Sequence, residues 1–181
     1  MRIVSGKYKG RLVKPPKNFR ARPTTDFAKE NLFNILNNNF DFTELEVLDL
    51  FSGTGSISYE FASRECKSVI SIESNFKHQA FIKKTIEELG LKNVLTYKSD
   101  AFRYVKSCHK KFDIVFADPP YDLKSIDTIP DFIFEQELLN PGGWLIVEHG
   151  DKTNFGRNKR FQETRKYGGV NFSIFENSEN S

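Results

Sequence analysis

The chain has 181 residues, 38% hydrophobic and 28% charged, with 18 phenylalanines to fill an interior and a formal net charge of +3. That length suits one domain with a sizeable core and a small appendage, and no apolar run is long enough to span a bilayer. The amino terminus lacks an apolar signal region, and Cys66 and Cys108 form no metal-ligand or redox pattern, so a reduced cytoplasm is the expected setting.

Charge is unevenly spread along the chain. Residues 1–22 carry eight basic groups (Arg2, Lys7, Lys9, Arg11, Lys14, Lys17, Arg20, Arg22) and no acid, which leaves 19 basic against 24 acidic groups, a net of −5, in the remainder. A basic arm on a mildly acidic body suits a polyanion. Met1–Val13 alternates weakly around Gly6 and Gly10 and predicts a small hairpin. Pro15, Pro16 and Pro23 make a stiff connector. Thr24 or Thr25 can cap a helix with Asp26 in its first turn; that helix buries Ala28, Leu32, Ile35 and Leu36 and ends at Asn37-Asn38-Asn39. Residues 1–25 thus read as an extension, 26–176 as the main domain and 177–181 as a disordered tail.

From Val47 the pattern changes to alternating strands and helices. Strands are expected at 47–51, 68–73, 94–98, 112–118 and 144–148, with helices at 57–64, from Asn75 to Gly90, near 102–107 and at 131–139. Pro141-Gly142-Gly143 reads as a turn into the fifth strand, and 161–167 and 170–176 flank Gly168-Gly169 as an antiparallel hairpin. The fold class is α/β: a Rossmann-like, doubly wound, mostly parallel seven-stranded sheet with a carboxyl-terminal antiparallel hairpin and a small amino-terminal hairpin. The usual reversal of strand order puts strands one and four side by side, and ligands bind beyond their carboxyl ends.

Those two strands end in the two most unusual loops of the sequence. Asp49-Leu50-Phe51-Ser52-Gly53-Thr54-Gly55 closes the first, and its glycines let a ligand approach the backbone. Ser58 stands where a dinucleotide fingerprint wants its third glycine, and no lysine follows to make a phosphate loop. Glu73 ends strand two where a carboxylate can take both hydroxyls of a ribose, and Asp100, past strand three, can accept from an adenine amino group. Ribose and adenine without phosphates describe S-adenosylmethionine, with Asp49 at its amino-acid end. The candidate cofactor residues are Asp49, Phe51, Ser52, Gly53, Thr54, Gly55, Glu73, Ser74, Asp100 and Ala101.

Asp118-Pro119-Pro120-Tyr121 follows strand four. Two prolines cannot continue a strand and hold the preceding residue extended, so the bend fixes the Asp118 carboxylate and a neighbouring carbonyl beside an aromatic ring. Two acceptors next to a π-face suit a planar group with an exocyclic NH2, such as a nucleobase; the bland alternative is an ordinary strand-ending turn. A base amine is a poor nucleophile, and accepting both its protons favours a pyramidal, reactive nitrogen. Asp118, Pro119, Pro120 and Tyr121 are the candidate catalytic residues, with Asp118 orienting the amine first and accepting its proton second. A paired base would have to be flipped out to reach them. His78, His109 and His149 share no metal-binding spacing; the first two read as surface residues and the third as a strand-end residue.

The arrangement resembles the class I methyltransferases that modify exocyclic amino groups. Within them, Met1 to Arg11, Arg22-Pro23-Thr24-Thr25-Asp26, Leu32-Phe33-Asn34-Ile35-Leu36, Val47 to Phe51, the Asp118 motif and Ile146-Val147-Glu148-His149 resemble the RsmD-type small-subunit rRNA guanine-N2 methyltransferases. The resemblance implies methylation of N2 of one guanine in 16S rRNA, called guanine 966 in that family, by a cytoplasmic enzyme whose arm grips RNA. Arg2, Lys7, Lys9, Arg11, Arg22 and Thr24 are the candidate RNA-binding residues; no metal and no membrane partner are expected, and the protein is expected to be a monomer. Phe27 and Lys29 replace the family's usual arginines, which argues against an RNA contact from the first helix. Alternatives are an adenine-N6 methyltransferase, which shares the Asp-Pro-Pro-Tyr motif, and a non-catalytic cofactor-binding assembly factor.

Overall fold

Runs of branched and aromatic residues form the five parallel strands of this sheet, buried on both faces in all but the edge strand at Val94–Lys98. The structure is a computed structural model that describes residues 1–17, 19 and 24–178. After helix α1 (Asp26–Asn39) come β1 (Glu46–Leu50), α2 (Ser56–Ser63), β2 (Ser68–Glu73), α3 (Phe76–Leu89), β3 (Val94–Lys98) and α4 (Ala101–Ser107). Then follow β4 (Phe112–Ala117), α5 (Ile129–Glu135), β5 (Leu139–His149), β6 (Phe161–Tyr167) and β7 (Val170–Glu176). The strand order is β3-β2-β1-β4-β5-β7-β6. β1 pairs in parallel with both β2 and β4, whereas β7 runs antiparallel to β5 and to β6. The chain therefore winds outward from β1 and restarts at β4, which opens a crevice between their carboxyl ends.

Alternation along each strand divides the core into two layers. Val47, Val69, Ile114, Phe116 and Ile146 pack with the apolar faces of α1 and α2 (Leu32, Phe33, Leu36, Phe61) and with Ile82 of α3. Leu48, Ile70, Val115, Leu145 and Val147 pack on the opposite face with Val105 of α4 and with Ile129 and Ile133 of α5. The Arg64 guanidinium lies 4.2 Å from the centre of the Phe33 ring.

The basic arm is docked on this core. Arg2 bridges Leu12, and Ile3 N–H donates to Arg11 O at 3.0 Å, which closes a short hairpin. Gly6 has φ +79°, and a Cβ there would collide with the Ser63 carbonyl, so only glycine permits this approach to α2. Lys7 N–H donates to Ser63 O at 2.7 Å, and Val4 N–H donates to Glu60 Oε1 at 2.7 Å. Lys29, 1% exposed, donates to Glu60 Oε1 at 3.0 Å and to the Arg2 carbonyl at 2.6 Å; Arg64 pairs with the other Glu60 oxygen. This buried network joins arm, α1 and α2, with each charge partnered.

Two elements depart from the sequence reading. The helix expected at 131–139 runs from Ile129 to Glu135 after a 3-10 turn at Ile126–Thr128, because Pro130 suits a helix start where no N–H is required. Leu139 instead pairs with Phe112 in β5, so the strand begins five residues before Trp144. Pro141-Gly142-Gly143 is consequently an irregularity inside β5 and not a turn ahead of it. Asn177, expected in the frayed tail, is pinned there: its N–H donates to Gly143 O at 2.8 Å and its side-chain amide to Leu139 O at 3.0 Å. Residues 179–181 lie outside the described residues, as do Arg22 and Pro23. No helix among the described residues is long and apolar enough to cross a membrane.

Candidate active site

The crevice holds a cavity of about 890 Å3 lined by the loops that follow β1, β2, β3 and β4, by the start of α1 and by the β6–β7 turn. Nine of the ten candidate cofactor residues, all but Gly55, and the whole of Asp118-Pro119-Pro120-Tyr121 line it.

The chain leaves β1 by an abrupt turn, with Phe51 at φ +59° and Gly53 at φ +55°. Gly55, at φ +80°, begins α2, and a Cβ there would collide with the Tyr59 hydroxyl. Glu73 fixes this turn, since Oε2 accepts from Gly53 N–H at 2.8 Å and Oε1 from Asn75 N–H at 2.7 Å. Both carboxylate oxygens are thereby oriented with acceptor capacity left over, as recognition of a vicinal diol needs. Asp49, 1% exposed, accepts a hydrogen bond from the Ser58 hydroxyl. Ser58 thus takes the place of a fingerprint glycine and supplies a donor to a buried acid. Burial raises the Asp49 carboxyl to about 7, opposed by the serine bonds and assisted by the nearby charge of Glu73. Thr54 lines the cavity while its hydroxyl donates to Met1 Sδ at 3.3 Å. Asp100 is exposed, and its Oδ1 caps α4 by accepting from Arg103 N–H at 2.9 Å, so one oxygen is committed to the helix.

Asp118 stands opposite the glycine loop. Its backbone N–H reaches Leu50 O at 3.4 Å, which ties the end of β4 to the end of β1. Its carboxyl is held well above the usual range, first by burial and then by the charges of Glu148 and Asp49. Tyr121, 51% exposed, presents its ring to the cavity and donates its hydroxyl to Glu148 Oε1 at 3.1 Å.

Sequence reasoning missed Glu148 as part of this wall and placed Thr24 on the RNA-facing arm. Thr24 is buried instead and donates to Glu148 Oε2 at 2.8 Å across 124 residues of chain, while Thr25 caps α1 by accepting from Ala28 N–H. Which threonine caps the helix depends on where the neighbouring one is buried, and no local pattern carries that. His78, expected at the surface, lines the cavity with its ring 4.3 Å from that of Phe19. His149 is buried: Nδ1 faces Gly150 O at 2.8 Å and Nε2 faces the Ser173 hydroxyl at 2.7 Å. Burial lowers its pKa, opposed by the Gly150 carbonyl and the charge of Asp151.

On the arm, Arg2 pairs with Asp26 at 3.4 Å and Lys7 with Glu65 at 3.9 Å. Lys9 and Arg11 are exposed and form no ion pair among the described residues; Arg22 lies outside those residues. Lys29 is consumed by the buried network and does not face solvent. No group of three metal-ligating side chains occurs among the described residues.

Asp49, Glu73, Asp118 and Glu148 face the cavity, and no lysine or arginine does among the described residues. Such a wall attracts a cation and opposes a pyrophosphate. A cationic, phosphate-free nucleoside fits this donor and acceptor set.

The family described as conserved hypothetical protein 95 matches residues 1–176. YlbH of Bacillus subtilis is 34% identical over 153 residues, covering 82% of each chain. "Ribosomal RNA small subunit methyltransferase D" of Buchnera aphidicola is 27% identical over 184 residues, covering 99% of this chain and 93% of its own. The solved structure of the Escherichia coli protein yhhF superposes with a TM-score of 0.86 at 24% identity over 99% of both chains. With its sheet order, glycine turn and Asp118 bend, the chain belongs to the RsmD-type family of class I, S-adenosylmethionine-dependent methyltransferases.

Proposed function

We propose that the protein methylates the exocyclic N2 of a guanine in 16S rRNA, the guanine called 966 in the family it resembles. The observation that carries this reading is a single one: the glycine turn after β1 and the Asp118 bend after β4 open into the same acid-walled cavity. S-adenosylmethionine, when bound, supplies an electrophilic methyl group. Glu73 would hold its ribose, Asp49 its amino-acid end, Phe51 and Ala101 the sides of its base, and Asp100 the base amino group with the oxygen not used in capping. Ser52, Gly53, Thr54, Gly55 and Ser74 shape the turn against it.

Asp118 orients the target amine by accepting one N–H, and a carbonyl at the Pro119 bend accepts the other. Holding the lone pair out of the ring plane is worth most when the amine is also correctly placed, and such positioning supplies up to ~7–11 kcal/mol. The methylated nitrogen is acidic, so its proton passes to Asp118 without a strong base. Tyr121 stacks on the base, which adds ~1–3 kcal/mol, and its tether to Glu148 holds the hydroxyl end of the ring. Residues 1–25 serve as the RNA-binding extension, with Lys9 and Arg11 free to meet phosphates and Arg2 and Lys7 exchanging weak surface pairs for them. An rRNA substrate would place the enzyme in the cytoplasm, and we expect a monomer.

The test is transfer of labelled methyl groups to unmodified small subunits, followed by nucleoside analysis. N2-methylguanosine supports the proposal. N6-methyladenosine would make this an adenine enzyme, and RNA binding without product would make it an assembly factor.

A further inference from the structure

Glu148 enters the cavity wall from the end of β5 and has no part in the chemistry above beyond steadying Tyr121. It is 4% exposed and accepts from Thr24 Oγ1 at 2.8 Å and Tyr121 Oη at 3.1 Å. Two hydroxyls from separate parts of the chain, the flank of α1 and the loop after β4, fix its plane. Each oxygen keeps a lone pair, so the group can accept further bonds. It forms no ion pair among the described residues, and a buried carboxylate without a cation is costly unless donors satisfy it. Glu148 also lies close enough to Asp118 for its charge to act on that carboxyl. A ligand that brings two neighbouring donors would relieve both groups.

Guanine has such an edge: N1–H stands next to the N2 amine. Adenine and cytosine place a ring-nitrogen lone pair beside their amino groups. We propose that Glu148 is a specificity-determining residue that accepts the N1–H of the target guanine while Asp118 accepts an N2 proton. This inference rests on the guanine-N2 reading above. Adenine and cytosine are then rejected because their ring nitrogen would turn a lone pair toward a fixed carboxylate. Thr24 acts one step behind, as a positioning residue for Glu148.

Small subunits reconstituted with either guanine or 2-aminopurine at the methylated position test this directly. 2-Aminopurine keeps the N2 amine but presents N1 as an acceptor. One hydrogen bond to a charged group separates the two bases by about 10- to 150-fold, so wild-type kcat/KM should favour guanine by that factor. Glu148→Gln offers an amide donor in place of a carboxylate oxygen, and the ratio should shrink toward one or invert. Thr24→Val should narrow the ratio less while cofactor affinity stays at the wild-type level. Equal wild-type kcat/KM on both bases overturns the proposal, as does an unchanged ratio in a Glu148→Gln protein that binds S-adenosylmethionine normally. Should Glu148→Gln fail to fold, the wild-type ratio and Thr24→Val decide. Failure of the guanine-N2 reading has a separate signature, the absence of N2-methylguanosine from the wild-type reaction on guanine itself, and the proposal falls with it.

Discussion

Asp49 and Asp118 end neighbouring strands and face one cavity, yet their surroundings assign them different work. Asp49 is buried beside Ser58 and Glu73 with its carboxyl raised to about 7. Proton loss from it is needed to hold a cationic ligand, so S-adenosylmethionine affinity should fall by up to about tenfold per pH unit below 7. Isothermal titration across pH 6–8 checks this, and Asp49→Asn should weaken binding and flatten the profile. The linked effect on folding has the opposite sign. The folded protein binds this proton more tightly than the unfolded chain, so ligand-free stability should decline as pH rises from about 4 to about 7. In the proposed reaction Asp118 orients the amine without holding the cofactor's ribose or base. Asp118→Ala should therefore lower kcat by about 10²–10⁴-fold while cofactor affinity changes by less than about threefold. A matching loss of affinity in equilibrium binding would move Asp118 into the cofactor site.

At the scale of elements, the sheet was legible because its strands repeat buried, branched residues between helices with one apolar face. The same signal could not assign Leu138-Leu139, which suit a helix end or a strand start equally; pairing with Phe112 decides for the strand. Both loops of the site were legible since Gly53 and Gly55 permit a left-handed turn while Pro119 and Pro120 restrict the backbone. Glu148 and Thr24 were not, because their meeting spans 124 residues and depends on β5 lying beside β4. The burial of Lys29 was equally hidden, since a lysine four residues into an amphipathic helix ordinarily faces water. Its removal leaves the Arg2 carbonyl without a donor and Glu60 Oε1 with only the Val4 N–H, its buried cation gone. Lys29→Ala should cost about 3–5 kcal/mol in urea unfolding. A cost below about 1 kcal/mol would mean that Arg64 and the Val4 N–H together satisfy Glu60.

For the whole molecule, the acid-walled cavity and the basic arm divide two tasks between opposite charges. In the proposed function the cavity selects a cation and an amine, while the arm meets phosphates without sequence preference. If about five arm residues make such contacts, the logarithm of RNA affinity should fall with the logarithm of salt at a slope of about −4. Replacing Lys7, Lys9 and Arg11 together should reduce that slope by about 2 to 3 and leave cofactor affinity unchanged. Filter binding at several salt concentrations reads both, and an unaltered slope would remove the arm from the RNA interface.

Placement of donor and acceptor in one cavity is the claim on which these roles depend, and a crystal structure with S-adenosylhomocysteine addresses it most directly. We expect the ribose hydroxyls on the Glu73 carboxylate and the sulfur directed toward the Asp118 bend. A ligand that leaves Glu73 and the Gly53 turn untouched, or that turns its sulfur away from Asp118, would contradict the assignment.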